Sequence, residues 1–126
     1  MTDLNFEDII GRYFNLSLKK DNYRIYVEEA GQGTPLLCLH TAGSDGRQFR
    51  HILNDKRITN NYRVIVFDLP WHGKSNPPEG YELKDYKLTT NLYKEIIMSF
   101  CKQYRLIDPV IMGCSMGGRV VLHLAL

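Results

Sequence analysis

The 126-residue sequence has no run of Lys and Arg longer than two residues, and its formal net charge is +2. Nucleic-acid-binding domains usually carry a basic patch or stripe, so we expect no nucleic-acid partner. No apolar stretch approaches the roughly 20 residues that a membrane-spanning helix needs, so we expect no membrane partner. The first ten residues contain no Lys or Arg, which is unlike a secretory signal peptide.

Cysteine is scarce and shows no metal-ligand spacing. The three cysteines, Cys38, Cys101 and Cys114, are widely separated and odd in number. This pattern favours free thiols in a reducing compartment. We therefore expect a cytoplasmic protein with no metal site.

The composition that remains is typical of a globular domain. Hydrophobic residues make up 44% of the chain, charged residues 24% and aromatic residues 11%. These values exclude a disordered chain, a collagen and a disulfide-rich mini-protein. The length fits one domain or part of one, so residues 1–126 are treated as a single unit.

Alternation of apolar and polar residues predicts a β-hairpin near the N-terminus. Residues 13–18 and 23–28 both alternate, and a polar turn at residues 19–22 separates them. Three continuous apolar runs, typical of strands buried on both faces, follow at residues 36–39, 64–67 and 110–112.

Helical patterns lie between these strands. A short one covers residues 45–53, and a last one begins near Gly117 and is still running at Leu126. A stronger one runs through residues 88–104, with its start open between Leu83 and Thr90. The order predicts an α/β fold: a mostly parallel sheet with an N-terminal antiparallel hairpin and helices on both faces. Reactive groups of such sheets gather beyond the carboxyl ends of the strands.

The junction after the last predicted strand carries a catalytic motif. Gly113-Cys114-Ser115-Met116-Gly117 matches Gly-x-Ser-x-Gly, the nucleophile elbow. A very tight strand-to-helix turn strains the backbone at the serine, so residues two positions away must lack a Cβ. The helix start also aims free N–H groups at developing negative charge. Ser115 is therefore the candidate nucleophile.

Other interpretations of this glycine-rich turn have to be weighed. A dinucleotide-binding fingerprint needs Gly at the position of Ser115 and an acidic residue about twenty positions later, and neither is present. An unreactive serine in a glycine-rich turn stays open. Cys114 occupies the variable position of the motif, and we expect its side chain to be buried away from the cleft.

Two further junctions follow the other apolar runs. Acyl transfer needs two backbone donors near the carbonyl oxygen, and we assign them to the N–H groups of Met116 and Ala42. Ala42 belongs to the sequence His40-Thr41-Ala42-Gly43-Ser44 that follows the run at residues 36–39. The segment 68–75 is interpreted as a structured turn in which Asp68 and Ser75 bond backbone groups.

These three junctions together resemble the α/β-hydrolase superfamily, in particular its small cofactor-free esterases, lactonases and carbon–carbon hydrolases. The resemblance extends from Tyr13 to Leu126. It implies that Ser115 is the nucleophile, that Ala42 and Met116 form the oxyanion hole, and that the reaction needs no cofactor. Members of the family usually have Gly where this chain has Thr41, and often Gly where it has Trp71. Thr41 and Ser44 are candidate substrate-pocket residues, and we expect Trp71 to pack.

The resemblance also implies residues that this sequence does not supply. The family's triad follows the order Ser, acid, His. After Ser115 the sequence contains only His123 and no Asp or Glu. We interpret His123, His51, His40 and His72 as structural. We therefore expect the N-terminal half of an α/β-hydrolase core, inactive alone, with an exposed edge strand at residues 110–112 through which copies self-associate.

The leading functional hypothesis is a serine hydrolase acting on a small-molecule carbonyl substrate: an ester, a thioester, a lactone or an activated C–C bond. An acyltransferase or a cofactor-free haloperoxidase-like enzyme would use the same Ser115. A non-catalytic binding protein of this fold is the alternative from a different class. Hydrolytic dehalogenases of the superfamily are disfavoured, because they resemble this pattern with Asp at position 115.

Overall fold

The computed structural model describes residues 3–126, which form one five-stranded sheet flanked by helices. The strands lie in the order β1-β2-β4-β3-β5. They are β1 (Ile10–Leu18), β2 (Asp21–Ala30), β3 (Thr34–Leu39), β4 (Tyr62–Phe67) and β5 (Val110–Gly113). The α-helices are α1 (Arg50–Leu53), α2 (Lys56–Thr59), α3 (Thr90–Gln103) and α4 (Met116–Leu124). Short 3-10 helices cover Gly46–Phe49 and Tyr81–Leu83.

The N-terminal hairpin is confirmed, with longer strands and a tighter turn than the sequence predicts. β1 and β2 pair antiparallel in a register that sets Leu18 opposite Asp21. Only Lys19 and Lys20 remain in the turn, and Lys19 has a φ of 53°. β2 also pairs antiparallel with β4, whereas β3 pairs parallel with both β4 and β5. The sheet is therefore mixed, with a parallel part formed by β4, β3 and β5.

The hydrophobic core occupies both faces of the sheet. Leu37 and Leu39 of β3 point into the larger cluster, which contains side chains of α3 and α4. Cys38 points into the smaller cluster, together with Phe49 and Leu53 on the opposite face. This alternation confirms that the central strand is buried on both sides and that helices cover both faces.

Several helix boundaries differ from the sequence-based predictions. The helix predicted at residues 45–53 is divided into the 3-10 helix and α1, and α2 was not predicted at all. α3 begins at Thr90, within the predicted range for its start, and the Thr89 hydroxyl caps it by accepting a hydrogen bond of 3.1 Å from the N–H of Leu92. The last helix ends at Leu124 rather than continuing to Leu126. The final carbonyl groups of a helix lack intrahelical donors, so its last residues depart from helical geometry.

β5 is an outer strand, as expected. Within residues 3–126 it pairs only with β3, and Val110 is 47% exposed. Self-association of two copies of the protein through the free edge of β5 stays a prediction. No helix in the same part of the chain is long and apolar enough to cross a membrane.

Candidate active site

Ser115 lies on the tight turn between β5 and α4, in a conformation that non-glycine residues rarely adopt. Its φ is 52° and its ψ is −110°. Both flanking glycines are sterically required. A Cβ on Gly113 would lie 2.3 Å from the carbonyl carbon of Gly117, and a Cβ on Gly117 would lie 2.3 Å from the carbonyl oxygen of Leu39. The strained, exposed serine expected from the motif is therefore present.

The elbow is joined directly to the end of β3. Leu39 is in register with Gly113, and the N–H of Cys114 donates a hydrogen bond of 3.2 Å to the carbonyl oxygen of Leu39. Because the loop after β3 begins at His40, its first residues start beside the elbow. The fold thus brings together two of the three junctions that the sequence singled out.

The loop after β3 contains a turn around Ala42. The N–H of Ser44 donates to the carbonyl oxygen of Thr41 over 3.3 Å, and Gly43 has the positive φ of 68° that the third position of a type II turn requires. The side-chain oxygen of Gln48 accepts a hydrogen bond of 2.9 Å from the N–H of Thr41, a contact that sequence reasoning missed. Thr41 and Ser44 are half-buried in this loop.

The backbone N–H groups of Ala42 and Met116, assigned to the oxyanion hole, are both without a hydrogen-bond acceptor among residues 3–126. Met116 is the first residue of α4, where the helix leaves its N–H groups without intrahelical acceptors. Free amides at these two positions are what an oxyanion hole needs, and their convergence on one oxygen stays a prediction.

His40 connects the loops that follow β3 and β4. Its imidazole is fully buried, and Nε2 accepts a hydrogen bond of 3.1 Å from the N–H of Leu69. Nδ1 lies 2.7 Å from the carbonyl oxygen of Thr41, so Nδ1 carries the proton. Burial lowers the pKa of His40 below its ordinary value of 6.5, which favours this neutral form. Both ring nitrogens are occupied, which leaves none to act as a base.

The segment 68–75 is a structured turn, as the sequence predicts. The buried Asp68 carboxylate accepts hydrogen bonds from the N–H of Gly46 at 2.7 Å and from the N–H of Lys74 at 2.9 Å. The Ser75 hydroxyl donates to the carbonyl oxygen of Asp68 over 2.5 Å and accepts from the N–H of Tyr26 over 2.9 Å. These bonds fix the loop after β4 against its neighbours.

Within residues 3–126, no side chain hydrogen-bonds the hydroxyl of Ser115 as a general base would. Ser115 Oγ makes no hydrogen bond to any group within residues 3–126. His123 is exposed in the last turn of α4, and His51 is exposed on α1. Nδ1 of His72 lies 3.0 Å from the carbonyl oxygen of Pro70. In the same part of the chain, no group of three or more His, Cys, Asp or Glu residues could hold a metal ion.

The expectation for Cys114 is wrong. Its side chain is exposed, whereas Cys38 of β3 is fully buried. The difference follows from position in the sheet: β3 has strands on both sides and packed clusters on both faces, whereas Cys114 follows the outer strand β5. Burial raises the pKa of the Cys38 thiol to about 12, so it is the inert cysteine.

Comparison with known proteins shows which proteins this chain resembles. A family model described as the alpha/beta hydrolase fold matches residues 34–126. The 30 kDa subunit of magnesium chelatase from Rhodobacter capsulatus is 33% identical over 94 residues, which cover 75% of this chain and 31% of that protein.

Solved structures show the same likeness. The N-acyl homoserine lactonase AidH, in complex with N-butanoyl homoserine, matches with a TM-score of 0.73 and 31% identity over 90% of this chain and 39% of that chain. An epoxide hydrolase from Vigna radiata matches with a TM-score of 0.74 over 93% of this chain and 35% of that chain. At 20% identity this second likeness shows the fold alone. The chain therefore spans about a third of the length of the proteins that it matches.

Proposed function

Because the chain belongs to the alpha/beta hydrolase fold family, and its mixed sheet is the N-terminal part of that core, we propose that it carries the nucleophile of a serine hydrolase. The substrate class is a small molecule with an activated carbonyl: an ester, a thioester, a lactone or an activated C–C bond. The reaction proceeds through an acyl-enzyme on Ser115. We assign this activity to a protein as long as the relatives that the chain matches. The chain itself spans about a third of that length.

The observation that carries the proposal is the backbone of Ser115. A non-glycine residue at φ 52° and ψ −110° persists only where the surrounding structure enforces it, and such strain clusters at functional sites. Here β5, α4 and β3 lie so close together that they hold this conformation, and they can do so because Gly113 and Gly117 lack a Cβ. An ordinary serine in a loose turn would need neither glycine nor strain.

The chemistry follows from the groups around this serine. Ser115 Oγ attacks the substrate carbonyl carbon, and its proton passes to a general base. The carbonyl oxygen becomes an oxyanion, which the N–H groups of Ala42 and Met116 stabilise. Removing one such donor typically costs about 3–4 kcal/mol of transition-state stabilisation. We place the base and its orienting acid in the part of the relatives' length that this chain does not span.

A lactone or ester carbonyl is the favoured substrate within this class. The support comes from the lactonase, which is 31% identical over 90% of this chain. The family match over residues 34–126 includes β3, its loop and the elbow. Thr41 and Ser44 lie in that loop, and their hydroxyl groups would contact the substrate beside the reacting carbonyl.

An active-site probe tests the proposal. A fluorophosphonate should label a form of the protein that spans the relatives' length, and Ser115→Ala should abolish the label. Ser99→Ala is the matched control, since Ser99 lies on α3 in ordinary helical conformation, and this variant should label like the wild type. Labelling that survives Ser115→Ala would assign the chemistry elsewhere. Absence of any label in the wild type would favour a non-catalytic binding protein.

A further inference from the structure

Trp71 occupies a backbone position that suits glycine. Its φ is 71°, in the left-handed region where a bulky side chain is an outlier. It follows the end of β4, in the turn that Asp68 and Ser75 hold in place. A strained residue of this kind points to a role for its side chain, because glycine would hold the same turn without strain.

The indole of Trp71 forms an aromatic cluster with two tyrosines from the segment between β4 and α3. Its ring meets Tyr81 edge-on at 5.5 Å between centroids and lies tilted against Tyr86 at 4.8 Å. These contacts confirm the prediction that Trp71 packs. Its side chain also lines a cavity together with Leu92 and Ile96 of α3.

A cavity of about 100 Å³ opens beside this cluster. Its aromatic and aliphatic walls come from β2, the turn after β4, and α3 with the residues before it: Tyr23, Trp71, Tyr86, Leu88, Leu92 and Ile96. The cavity is smaller than the roughly 300–1,000 Å³ of a drug-sized ligand site, so only a small group would fit, and its aromatic and aliphatic walls favour an apolar one.

The charged side chains that line the cavity sum to a net charge of zero. Two lysines and two aspartates contribute to its lining, and the ammonium group of Lys84 donates a hydrogen bond to the carboxylate of Asp21. Since no net charge remains to attract an ion, the cavity favours an uncharged ligand.

The cavity lies at the end of the sheet where sites form in α/β folds. The N–H of Asn76 bonds the carbonyl oxygen of Arg24 at 2.9 Å, and the N–H of Glu79 bonds that of Asn22 at 3.3 Å. The chain after β4 therefore runs back along the first half of β2, beyond the carboxyl end of β4. That is the same end of the sheet as the elbow.

We propose that this cavity binds a small uncharged apolar group. An apolar cavity of roughly 150 Å³ is known to bind benzene, so this smaller cavity suits a ring of about five atoms or a chain of about four carbons. The aromatic faces of Trp71 and Tyr86 give a ring a partner for stacking. The proposal is independent of the reactivity of Ser115.

The only tryptophan of the sequence reports on this site directly. Thiophene, an apolar five-membered ring, should change the emission of Trp71 in a saturable way, and pyrazole, a polar ring of similar size, should bind at least about tenfold more weakly. Leu88→Phe places extra atoms in the cavity and should weaken thiophene binding by about tenfold or more. Leu83→Phe makes a matched change on a side chain that is 93% exposed, and should bind like the wild type.

A second measurement covers the case in which Leu88→Phe folds poorly. Thiophene should raise the melting temperature of the wild type by mass action, and Trp71→Gly, which removes the indole without backbone strain, should lose that rise. A linear, non-saturating emission change would overturn the proposal. So would equal binding of thiophene and pyrazole, or an unchanged thermal shift in Trp71→Gly.

Discussion

Two neighbouring regions at the carboxyl end of the sheet are held in place by opposite means. The loop pair, residues 40–48 and 68–75, is fixed by side chains: His40 bonds Leu69, and Asp68 bonds Gly46 and Lys74. The elbow, residues 110–118, is fixed by the absence of side chains at Gly113 and Gly117. One region depends on buried hydrogen bonds and the other on close backbone contact.

The difference assigns separate tasks to the two regions. Buried polar groups with every partner satisfied give the loop pair a single arrangement, which positions Ala42. In the elbow, two groups stay free: Ser115 Oγ makes no hydrogen bond within residues 3–126, and the N–H of Met116 has no acceptor there. The proposed oxyanion hole takes one donor from each region. It therefore depends on the contact between β3 and the elbow, where the N–H of Cys114 bonds the carbonyl oxygen of Leu39.

The largest effect is expected where the regions meet. In Gly117→Ala the new Cβ would lie 2.3 Å from the carbonyl oxygen of Leu39, so β3 and α4 must separate. We expect a loss of about 4 kcal/mol in the free energy of unfolding. In Gly118→Ala the closest atom is the oxygen of Gly113 at 3.2 Å, and better helix propensity offsets the contact to within about 1 kcal/mol. Urea unfolding of both variants measures the difference, and equal stabilities would refute the account of the contact between β3 and the elbow.

A second pair of variants separates the two regions themselves. Asp68→Asn replaces one acceptor oxygen by an NH₂ group that faces a backbone donor, and should cost about 2–3 kcal/mol. Cys114→Ala, in the elbow, should stay within about 0.5 kcal/mol of the wild type because the thiol is exposed. Chemical unfolding of the two variants under one condition makes the comparison. A costly Cys114→Ala would mean that the elbow also relies on side-chain packing.

The smallest stability effect concerns the protonation of His40. Burial lowers its pKa below 6.5, and the neutral ring makes both of its hydrogen bonds. The neutral ring contributes fully to the free energy of unfolding above pH 6.5. This contribution is lost as the pH falls toward the lowered pKa, at no more than about 1.4 kcal/mol per pH unit. His72, Asp68 and Asp45 also act on this ring. Unfolding free energies at several pH values should show a weaker acid dependence in His40→Gln; identical profiles would contradict this role.

The sequence predicts the elbow and the central strands well because their causes are local. Gly-x-Ser-x-Gly allows only one tight turn between a strand and a helix, and the apolar runs at residues 36–39 and 64–67 have to be buried on both faces. The Ser115 backbone and the parallel pairing of β3 with β4 follow from these facts.

Other features depend on partners distant in sequence, and these were not predicted. The exposure of Cys114 depends on which strands flank β5, and the bond between His40 and Leu69 depends on two loops meeting. The residue type at Trp71 does not indicate a positive φ, because tryptophan seldom adopts one; the signal was the glycine that the resembling family often has at this position. α2 had one signal that could have found it: Asp55, whose side chain caps the helix by accepting from the N–H of Arg57 at 2.9 Å.

A crystal structure of a form that spans the relatives' length, solved after reaction with a phosphonate probe, tests the nucleophile and the oxyanion hole together. We expect a covalent bond from Ser115 Oγ to phosphorus. We also expect one phosphonate oxygen within about 3 Å of the backbone nitrogens of both Ala42 and Met116. A phosphonate bound to another residue would contradict the assignment of the nucleophile, and a phosphonate on Ser115 with no oxygen near either amide would contradict the oxyanion hole.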